Sequence, residues 1–124
     1  MNLFAKLKQR EEQQRPLRVG LIGAGKFAAM YLAQVPRTPG VHLVAIADLA
    51  PDKAKENLAK VGWVAERFSG SSIEKAITDK TTHLSDDWQA LVAHPAIDIV
   101  IEATGNPVAA VEHILGAYRH GKHV

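Results

Sequence analysis

From residue 18 onward, short apolar runs rich in Val and Ile alternate with stretches of helical period. The runs at 18–22, 42–47, 81–84 and 97–102 are predicted strands. The stretches between them place apolar residues three or four positions apart, as in helices that cover a sheet. A helix must carry the chain back between two parallel strands, so this alternation predicts an α/β fold with a doubly wound parallel sheet of the Rossmann type.

The 124 residues, of which 47% are hydrophobic, suffice for one compact domain with a core. We assign residues 1–17 to an N-terminal helix or arm, with Lys8 and Glu12 placed for an i,i+4 pair, and residues 18–124 to the sheet domain. Residues 122–124 are expected to begin a fifth strand. Because such a strand would lie inside the sheet, we expect the polypeptide to continue into a substrate-binding, catalytic domain.

Composition excludes several kinds of protein. There is no Cys, which excludes disulfides, thiolate zinc sites, iron–sulfur clusters and a cysteine nucleophile, and which favours a reducing compartment such as the cytoplasm. The N-terminal segment is charged and has no apolar stretch as long as a signal peptide or membrane span, so no membrane association is predicted. The net charge of +2 is small and its basic residues are dispersed, which argues against nucleic-acid binding.

A glycine-rich turn joins the first predicted strand to the first predicted helix, in the pattern G-x-G-x-x-A that ends at Ala28. The first glycine permits a tight turn, the second lets the backbone approach a pyrophosphate, and Ala28 keeps the helix close to the sheet. We therefore predict a dinucleotide diphosphate on the amides at the helix start, helped by the helix dipole. The alternative is an ordinary tight turn. The predicted site residues are Gly23, Ala24, Gly25, Lys26 and Phe27.

Asp48 follows the second predicted strand, 25 positions after Gly23. A carboxylate at this place can accept hydrogen bonds from both hydroxyls of the adenosine ribose, which favours NAD. It would repel the 2′-phosphate of NADP unless cations offset it, and the candidates are Lys53, Lys55 and Arg37. The alternative is that Asp48 merely ends a strand.

A second small-residue segment follows the strand at 97–102, on the crevice side of the sheet. Its residues Ala103, Thr104, Gly105 and Asn106 are predicted to contact the cofactor. Thr104 and Asn106 would hydrogen-bond ribose or carboxamide, and Gly105 would adopt a positive φ. A plain helix cap explains Asn106 equally well. Glu102 fits either a buried acid or a neighbour of the cofactor.

The six histidines do not form the H-E-x-x-H spacing of a metal site, so no metal ligand is predicted in this chain. His113 is expected to face solvent, because it lies opposite the apolar stripe formed by residues 108, 111, 114 or 115, and 118. His120 is expected to interact with the end of its helix. No catalytic residue is predicted here.

Four segments carry a family resemblance: RVGLIGAGKFA, VAIADLAPDKA, THLSDD, and IDIVIEATGNP followed by HGKHV. Over residues 18–124 they resemble the N-terminal domain of homoserine-dehydrogenase-like oxidoreductases. Within these they resemble the branch of DXR-like reductoisomerases, which convert 1-deoxy-D-xylulose 5-phosphate to 2-C-methyl-D-erythritol 4-phosphate in isoprenoid-precursor synthesis. The resemblance implies a phosphosugar substrate, a homodimer, and a divalent cation, Mg or Mn, with ligands outside this chain.

The resemblance also implies NADPH as hydride donor, with Lys53 or Lys55 meeting its 2′-phosphate, while Asp48 keeps NADH possible. The expected function is thus that of the cofactor-binding part of an NADPH-dependent reductoisomerase. Two alternatives stay open: a homoserine dehydrogenase or related NAD(P)-dependent dehydrogenase, and a non-catalytic module that senses NAD(P)H.

Overall fold

The computed structural model describes residues 2–124. The strands are β1 (Leu17–Ile22), β2 (Val41–Ala47), β3 (His83–Ser85) and β4 (Ile99–Glu102). The helices are α1 (Leu3–Glu12), α2 (Ala29–Gln34), α3 (Pro51–Lys60), α4 (Ile73–Asp79), α5 (Trp88–Ala93) and α6 (Pro107–Arg119). Short 3₁₀ turns lie at Lys26–Ala28, Val35–Arg37 and Ala65–Phe68.

The four strands form one parallel sheet in the order β3-β2-β1-β4. Buried residues lie on both faces, with α2 and α3 packed on one and α4, α5 and α6 on the other. The predicted doubly wound α/β fold is therefore confirmed. Beyond α6, His123 forms an isolated parallel bridge with Ile99 of β4. This bridge lies where the additional strand is predicted to begin.

The first face of the sheet holds the residues that fix the turn after β1. Ala28, Leu32 and Val35 are buried, as their helical spacing predicts. Full burial of a side chain such as Leu32 contributes about 1.5–3 kcal/mol. The Trp63 indole N–H donates to the Leu32 carbonyl oxygen at 2.7 Å. These contacts hold the segment after the glycine turn firmly against the sheet.

Polar side chains cap two of the short helices. The Ser72 hydroxyl accepts from the Lys75 amide at 3.1 Å and caps α4. Asp87 Oδ1 accepts from the Ala90 amide at 3.0 Å and caps α5. Between α3 and α4, residues Ala65–Phe68 form a 3₁₀ turn.

Helix α6 presents a different face to the sheet from the one predicted. Its apolar stripe, expected to be buried, is exposed by 42–80% and consists of Val108, Val111, Ile114, Leu115 and Tyr118. The buried residues are His113 and Ala117. Gly116 lies so close to Trp88 that an added Cβ would be 2.8 Å from its ring. Small residues allow this close approach, and it turns the larger side chains away from the rest of residues 2–124.

The N-terminal segment forms helix α1, capped by the Asn2 side chain. The predicted Lys8–Glu12 pair is absent within residues 2–124. Lys8 Nζ instead lies 5.9 Å from the centroid of the Phe4 ring, one turn earlier on the same face. Across residues 2–124, every helix falls short of the length and apolarity needed to cross a membrane.

Candidate functional site

A cleft of about 400 Å³ lies at the carboxyl ends of β1, β2 and β4. Parallel strands end together at this edge, so the loops that follow them surround one crevice. The lining residues include most of the predicted site: Gly23, Gly25, Lys26, Phe27, Asp48, Ala103, Thr104 and Asn106. Ala24 is fully buried beneath the turn, and Gly105 is in the loop between β4 and α6.

The two glycines of the turn serve different purposes. Gly23 has φ +94°, and a Cβ there would lie 2.8 Å from the Thr104 backbone nitrogen. Only glycine fits this crossing of two loops. Gly25 has φ −95°, and its absent Cβ would meet nothing within 4 Å. Gly25 therefore leaves open space in the cleft, as the approach of a pyrophosphate requires.

The main-chain amides of the turn divide into two groups. The Gly23 amide donates to the Ala47 carbonyl oxygen at 2.8 Å. The Ala24 amide donates to Asp48 Oδ2 at 2.9 Å. Within residues 2–124, the amides of Gly25, Lys26 and Phe27 have no hydrogen-bond acceptor. Successive backbone amides without a partner are the kind of donors with which proteins bind anions.

The helix dipole contributes less than the sequence predicts. The residues directly after Gly25 form the 3₁₀ turn Lys26–Ala28, and α2 begins only at Ala29 and has six residues. The effect of a dipole falls off within the first turn of a helix, so a short helix that begins late adds little. The free amides and Lys26, which lines the cleft, are the main groups available to an anion.

Asp48 links the glycine turn to the loop after β2. Its Oδ2 accepts from the Ala24 amide at 2.9 Å and its Oδ1 from the Ala50 amide at 2.8 Å. A carboxylate can accept about four hydrogen bonds, so each oxygen keeps one free acceptor position. Asp48 also lines the cleft. The carboxylate is thus oriented by the backbone and can still accept from ribose hydroxyls.

The cations expected to meet a 2′-phosphate lie elsewhere. Lys53 Nζ is 3.5 Å from Glu56 Oε2, and Lys55 Nζ is 3.9 Å from Asp52 Oδ1, both on the surface of α3. Arg37 donates to a main-chain carbonyl of the preceding helix. None of these three cations lines the cleft. The structure therefore offers no cation from this set beside Asp48.

Glu102, at the end of β4, organises the wall of the cleft that faces the glycine turn. The sequence left the role of Glu102 open. Its Oε1 accepts from the Thr104 amide at 2.7 Å and from the Thr104 hydroxyl at 2.6 Å, and its Oε2 accepts from His113 Nδ1. Burial raises the pKa of Glu102, but the hydrogen bonds from Thr104 and His113 outweigh it and hold the pKa below its usual value. Glu102 is thus a half-buried acid whose two oxygens are engaged by Thr104 and His113.

His113 is buried, contrary to the expectation that it faces solvent. Its ring packs edge-on against Trp88, with centroids 4.7 Å apart and an interplanar angle of 62°. The pairing of Glu102 with a histidine 11 residues later was missed because hydropathy alone placed His113 on the polar face of α6. The buried face of α6 carries the polar group that Glu102 needs.

Thr104, Gly105 and Asn106 shape the loop rather than offer many free groups. The Thr104 hydroxyl also accepts from the Asn106 amide at 3.2 Å. Asn106 Oδ1 accepts from the Val108 and Ala109 amides, so Asn106 caps α6 as one alternative held. Gly105 has φ +71°, the positive value predicted, and a Cβ there would overlap the Phe27 ring. Phe27 therefore contacts the facing loop across the cleft.

No group of three or more His, Cys, Asp or Glu residues in the described part of the chain is arranged to hold a metal ion. The cleft is lined instead by backbone donors, by the Asp48 carboxylate that the backbone holds, by Lys26, and by the further acids Asp86 and Glu112. The placement of the donors, Asp48 and Lys26 after β1 and β2 of a parallel sheet defines a dinucleotide-binding domain of the Rossmann type.

The family model for oxidoreductases with an NAD-binding Rossmann fold, GFO/IDH/MocA, matches residues 17–124. The chain belongs to this family. A curated relative, homoserine dehydrogenase from Methylobacillus glycogenes, is 30% identical over 110 residues, covering 89% of this chain and 24% of the relative. The chain therefore spans about a quarter of the length of that relative.

Two solved structures extend the comparison. Myo-inositol dehydrogenase from Lactobacillus casei, in complex with NAD(H) and myo-inositol, has a TM-score of 0.63 at 18% identity and supports the fold alone. The likeness covers 86% of this chain and 26% of that one. Biliverdin reductase from Synechocystis, in complex with biliverdin and NADP+, has a TM-score of 0.52 at 28% identity. That likeness covers 88% of this chain and 28% of the reductase. These two proteins are in complex with NAD(H) and with NADP+, respectively, and neither they nor the curated relative is a reductoisomerase.

Proposed function

We propose that this chain is the cofactor-binding part of an NAD(P)-dependent dehydrogenase or reductase, and that it prefers NAD(H). The observation that carries this proposal is that the amides of Gly25, Lys26 and Phe27, beside an open cleft, have no acceptor within residues 2–124. An unpaired backbone donor is costly unless a ligand or water meets it, and a diphosphate offers several acceptors at once.

The residues of the cleft divide the cofactor between them. The free amides and Lys26 bind the diphosphate, and the oriented Asp48 carboxylate accepts from the adenosine ribose. Ala103 and the loop after β4 supply a small-residue surface for the nicotinamide end. A bound nicotinamide supplies the hydride chemistry. The contribution of this chain is to hold that ring in position, since proximity provides up to about 7–11 kcal/mol of a barrier.

The preference for NAD(H) follows from the charges that line the cleft. They comprise the acids Asp48, Asp86 and Glu112, in addition to the engaged Glu102 of the facing wall, against one cation, Lys26. A 2′-phosphate beside Asp48 would add like charge at short range. NADPH, which the family resemblance implies, would need Lys53 or Lys55 to leave its surface ion pair, and such pairs are worth less than about 1 kcal/mol.

The substrate is a separate question, since one nucleotide-binding domain serves many substrate domains. Homoserine dehydrogenation is a candidate because a homoserine dehydrogenase is 30% identical over most of this chain. Reductoisomerase activity on a phosphosugar stays a prediction from the sequence resemblance, as do the divalent cation, the homodimer and the cytoplasmic location. A full-length protein assayed with homoserine and with 1-deoxy-D-xylulose 5-phosphate separates the two activities, and turnover of either rejects the sensing module.

The cofactor proposal is tested by titrating this chain with NADH and with NADPH while following nicotinamide fluorescence. We expect saturable binding of both, with NADH tighter by about 10-fold, corresponding to about 1.4 kcal/mol. Asp48→Asn should remove most of that difference, whereas Asp79→Asn, on an exposed residue at the end of α4 and outside the cleft lining, should leave it unchanged. Binding of neither nucleotide would overturn the proposal, and tighter binding of NADPH would overturn the stated preference.

A further inference from the structure

A second cavity, of about 420 Å³, lies at the opposite end of the sheet from the cleft. It is formed where β1 and β2 begin and is closed by the end of α1, the 3₁₀ turn Ala65–Phe68 and the end of α4. The proposed cofactor site does not include it. Its lining is markedly basic, although the chain as a whole carries a net charge of only +2.

Two of the basic side chains are placed side by side by the sheet. Arg18 on β1 and His42 on β2 are register partners in parallel strands, so their side chains leave the same face of the sheet. Arg67 and Lys80 come from the surrounding turns and line the same cavity. Among the described residues that line this cavity, Glu11 is the single acid, and it is exposed near the end of α1.

These cations have no counter-ion within the described residues. Within residues 2–124, the guanidinium nitrogens of Arg18 and Arg67 and the Nζ of Lys80 have no carboxylate oxygen within 4.0 Å. The main-chain amide of Arg18 donates to Asp98 Oδ2 at 2.9 Å. Within residues 2–124, the Nε of Arg18 is buried and has no hydrogen-bond partner. A buried guanidinium N–H without an acceptor is uncommon, and a guanidinium that lacks both this acceptor and a counter-ion is a favourable partner for an anion from outside the chain.

The pKa of His42 is affected by the same positive charges. Its Nε2 donates to the Thr81 carbonyl oxygen at 2.7 Å. Burial is the main cause that lowers the pKa of His42, the Thr81 hydrogen bond opposes this, and the charges of Arg18 and Lys80 lower the pKa further. Of the other charged groups that line the cavity, Arg67 adds to this field and Glu11 opposes it.

We propose that this cavity binds a small organic oxyanion, a phosphate monoester or a carboxylate, at a site separate from the cofactor cleft. Arg18 and Lys80 bind the anionic group, and Arg67 covers it. The Cζ of Arg67 lies 5.7 Å from the centroid of the Trp63 ring. Trp63, Val35 and Ile77 form an apolar wall for the carbon part of the ligand. Arginine suits this role because its planar donors match the geometry of an oxyanion.

The test follows the ¹⁵N–¹H resonances of this chain while inorganic phosphate is added at constant ionic strength and pH 7. The Gly25→Val variant is used as the background, which blocks phosphate binding to the amides of the cofactor cleft. We expect the Arg18 Nε–H signal and the amides near His42 and Lys80 to shift along one saturable curve. Parallel titrations with acetate distinguish a carboxylate from a phosphate as the preferred anion.

Two variants and one control decide the outcome. Arg18→Gln and Lys80→Asn should each weaken phosphate binding by about 10-fold or more, and Asn tolerates the left-handed φ of +58° at position 80. Lys60→Gln, on an exposed residue at the end of α3, should leave the affinity unchanged. Equal phosphate affinity in all variants, or shifts that arise only around residues 23–27, would overturn the proposal. So would the absence of any saturable shift with both anions.

Discussion

Asp48 and Glu102 are acids at the ends of the two strands that flank β1, and they differ in how many of their acceptor positions the protein itself occupies. Asp48 accepts one backbone amide on each oxygen and remains at the open side of the cleft. Glu102 accepts from the amide and hydroxyl of Thr104 and from His113, and its side chain is only 9% exposed. The first acid keeps acceptor positions free at the cleft, and the second organises its own loop.

The difference shows that position at a sheet edge does not by itself make an acid a ligand-binding residue. What separates the two is how many acceptor positions the protein itself occupies. The wall that contains Asp48 and the glycine turn leaves donors and acceptors free. The wall that contains Glu102 satisfies its own polar groups and presents a fixed surface. Substitutions in the first wall should change affinity, and substitutions in the second should change stability.

The largest effect is expected for Gly25→Val in the open wall. Its side chain would occupy the space where the diphosphate approaches, so NADH affinity should fall at least about 100-fold, or about 2.8 kcal/mol. The thermal midpoint should remain unchanged, because a Cβ at this position meets nothing within 4 Å of the protein. Fluorescence titration and thermal unfolding measure the two quantities. Retained affinity would place the cofactor elsewhere.

Glu102→Ala tests the opposite wall. It leaves two Thr104 donors and one His113 donor without their acceptor, which should lower the free energy of unfolding by about 2 kcal/mol. Urea denaturation measures this loss. Glu112→Ala, on an exposed residue of α6 that also lines the cleft, is the matched control and should change stability by less than about 0.5 kcal/mol. Equal stability of the two variants would show that Glu102 is not a structural hub.

Asp48→Ala should mainly change nucleotide affinity. It removes the acceptor for ribose hydroxyls, so we expect NADH binding to weaken by about 10-fold and NADPH binding to weaken less. Competition between the two nucleotides on the same sample gives the ratio directly. Equal losses for both would show that the carboxylate does not contact the ribose and serves only the Ala24 and Ala50 amides.

The smallest effect concerns pH. Because hydrogen bonds hold the pKa of Glu102 below its ordinary value of 4.5, its contribution to stability is fully present above that value. The contribution is lost as the pH falls through the lowered pKa. Unfolding of the wild type and of Glu102→Gln between pH 6 and pH 3 should therefore show a difference of under about 1 kcal/mol that shrinks only at the acid end. The pKa of Glu74 is also lowered, mainly by a backbone hydrogen bond and less by His94. Because Glu74 is present in both proteins, its contribution cancels from the difference in their unfolding free energies.

The parts of the molecule that follow from local pattern were predicted from sequence. Apolar runs gave four of the strands, and the spacing of Ala28, Leu32 and Val35 gave the buried face after the glycine turn. The sequence offered a helix cap as one of two interpretations of Asn106, and the structure shows that Asn106 caps α6. These signals depend on the backbone within a few residues, where sequence fixes geometry strongly.

What sequence did not predict depends on contacts between distant segments. The stripe of Val108, Val111 and Tyr118 suggested the buried face of α6, but Gly116 and Ala117 allow a closer approach to α5 and the sheet. The same rotation buries His113 against Trp88 and beside Glu102. Hydrophobic periodicity carries no information about which small residues permit close packing. The buried face of α6 and the pairing of His113 with Glu102 could therefore not be predicted from it.

The most direct measurement is a ¹⁵N–¹H correlation spectrum of this chain with and without NADH. If the diphosphate lies on the turn after β1, the amide resonances of Gly25, Lys26 and Phe27 shift strongly, since these donors have no acceptor within residues 2–124. The amides of Gly23 and Ala24, already bonded to Ala47 and Asp48, shift less. Saturable NADH binding that leaves the resonances of Gly25, Lys26 and Phe27 unmoved would contradict the proposed site.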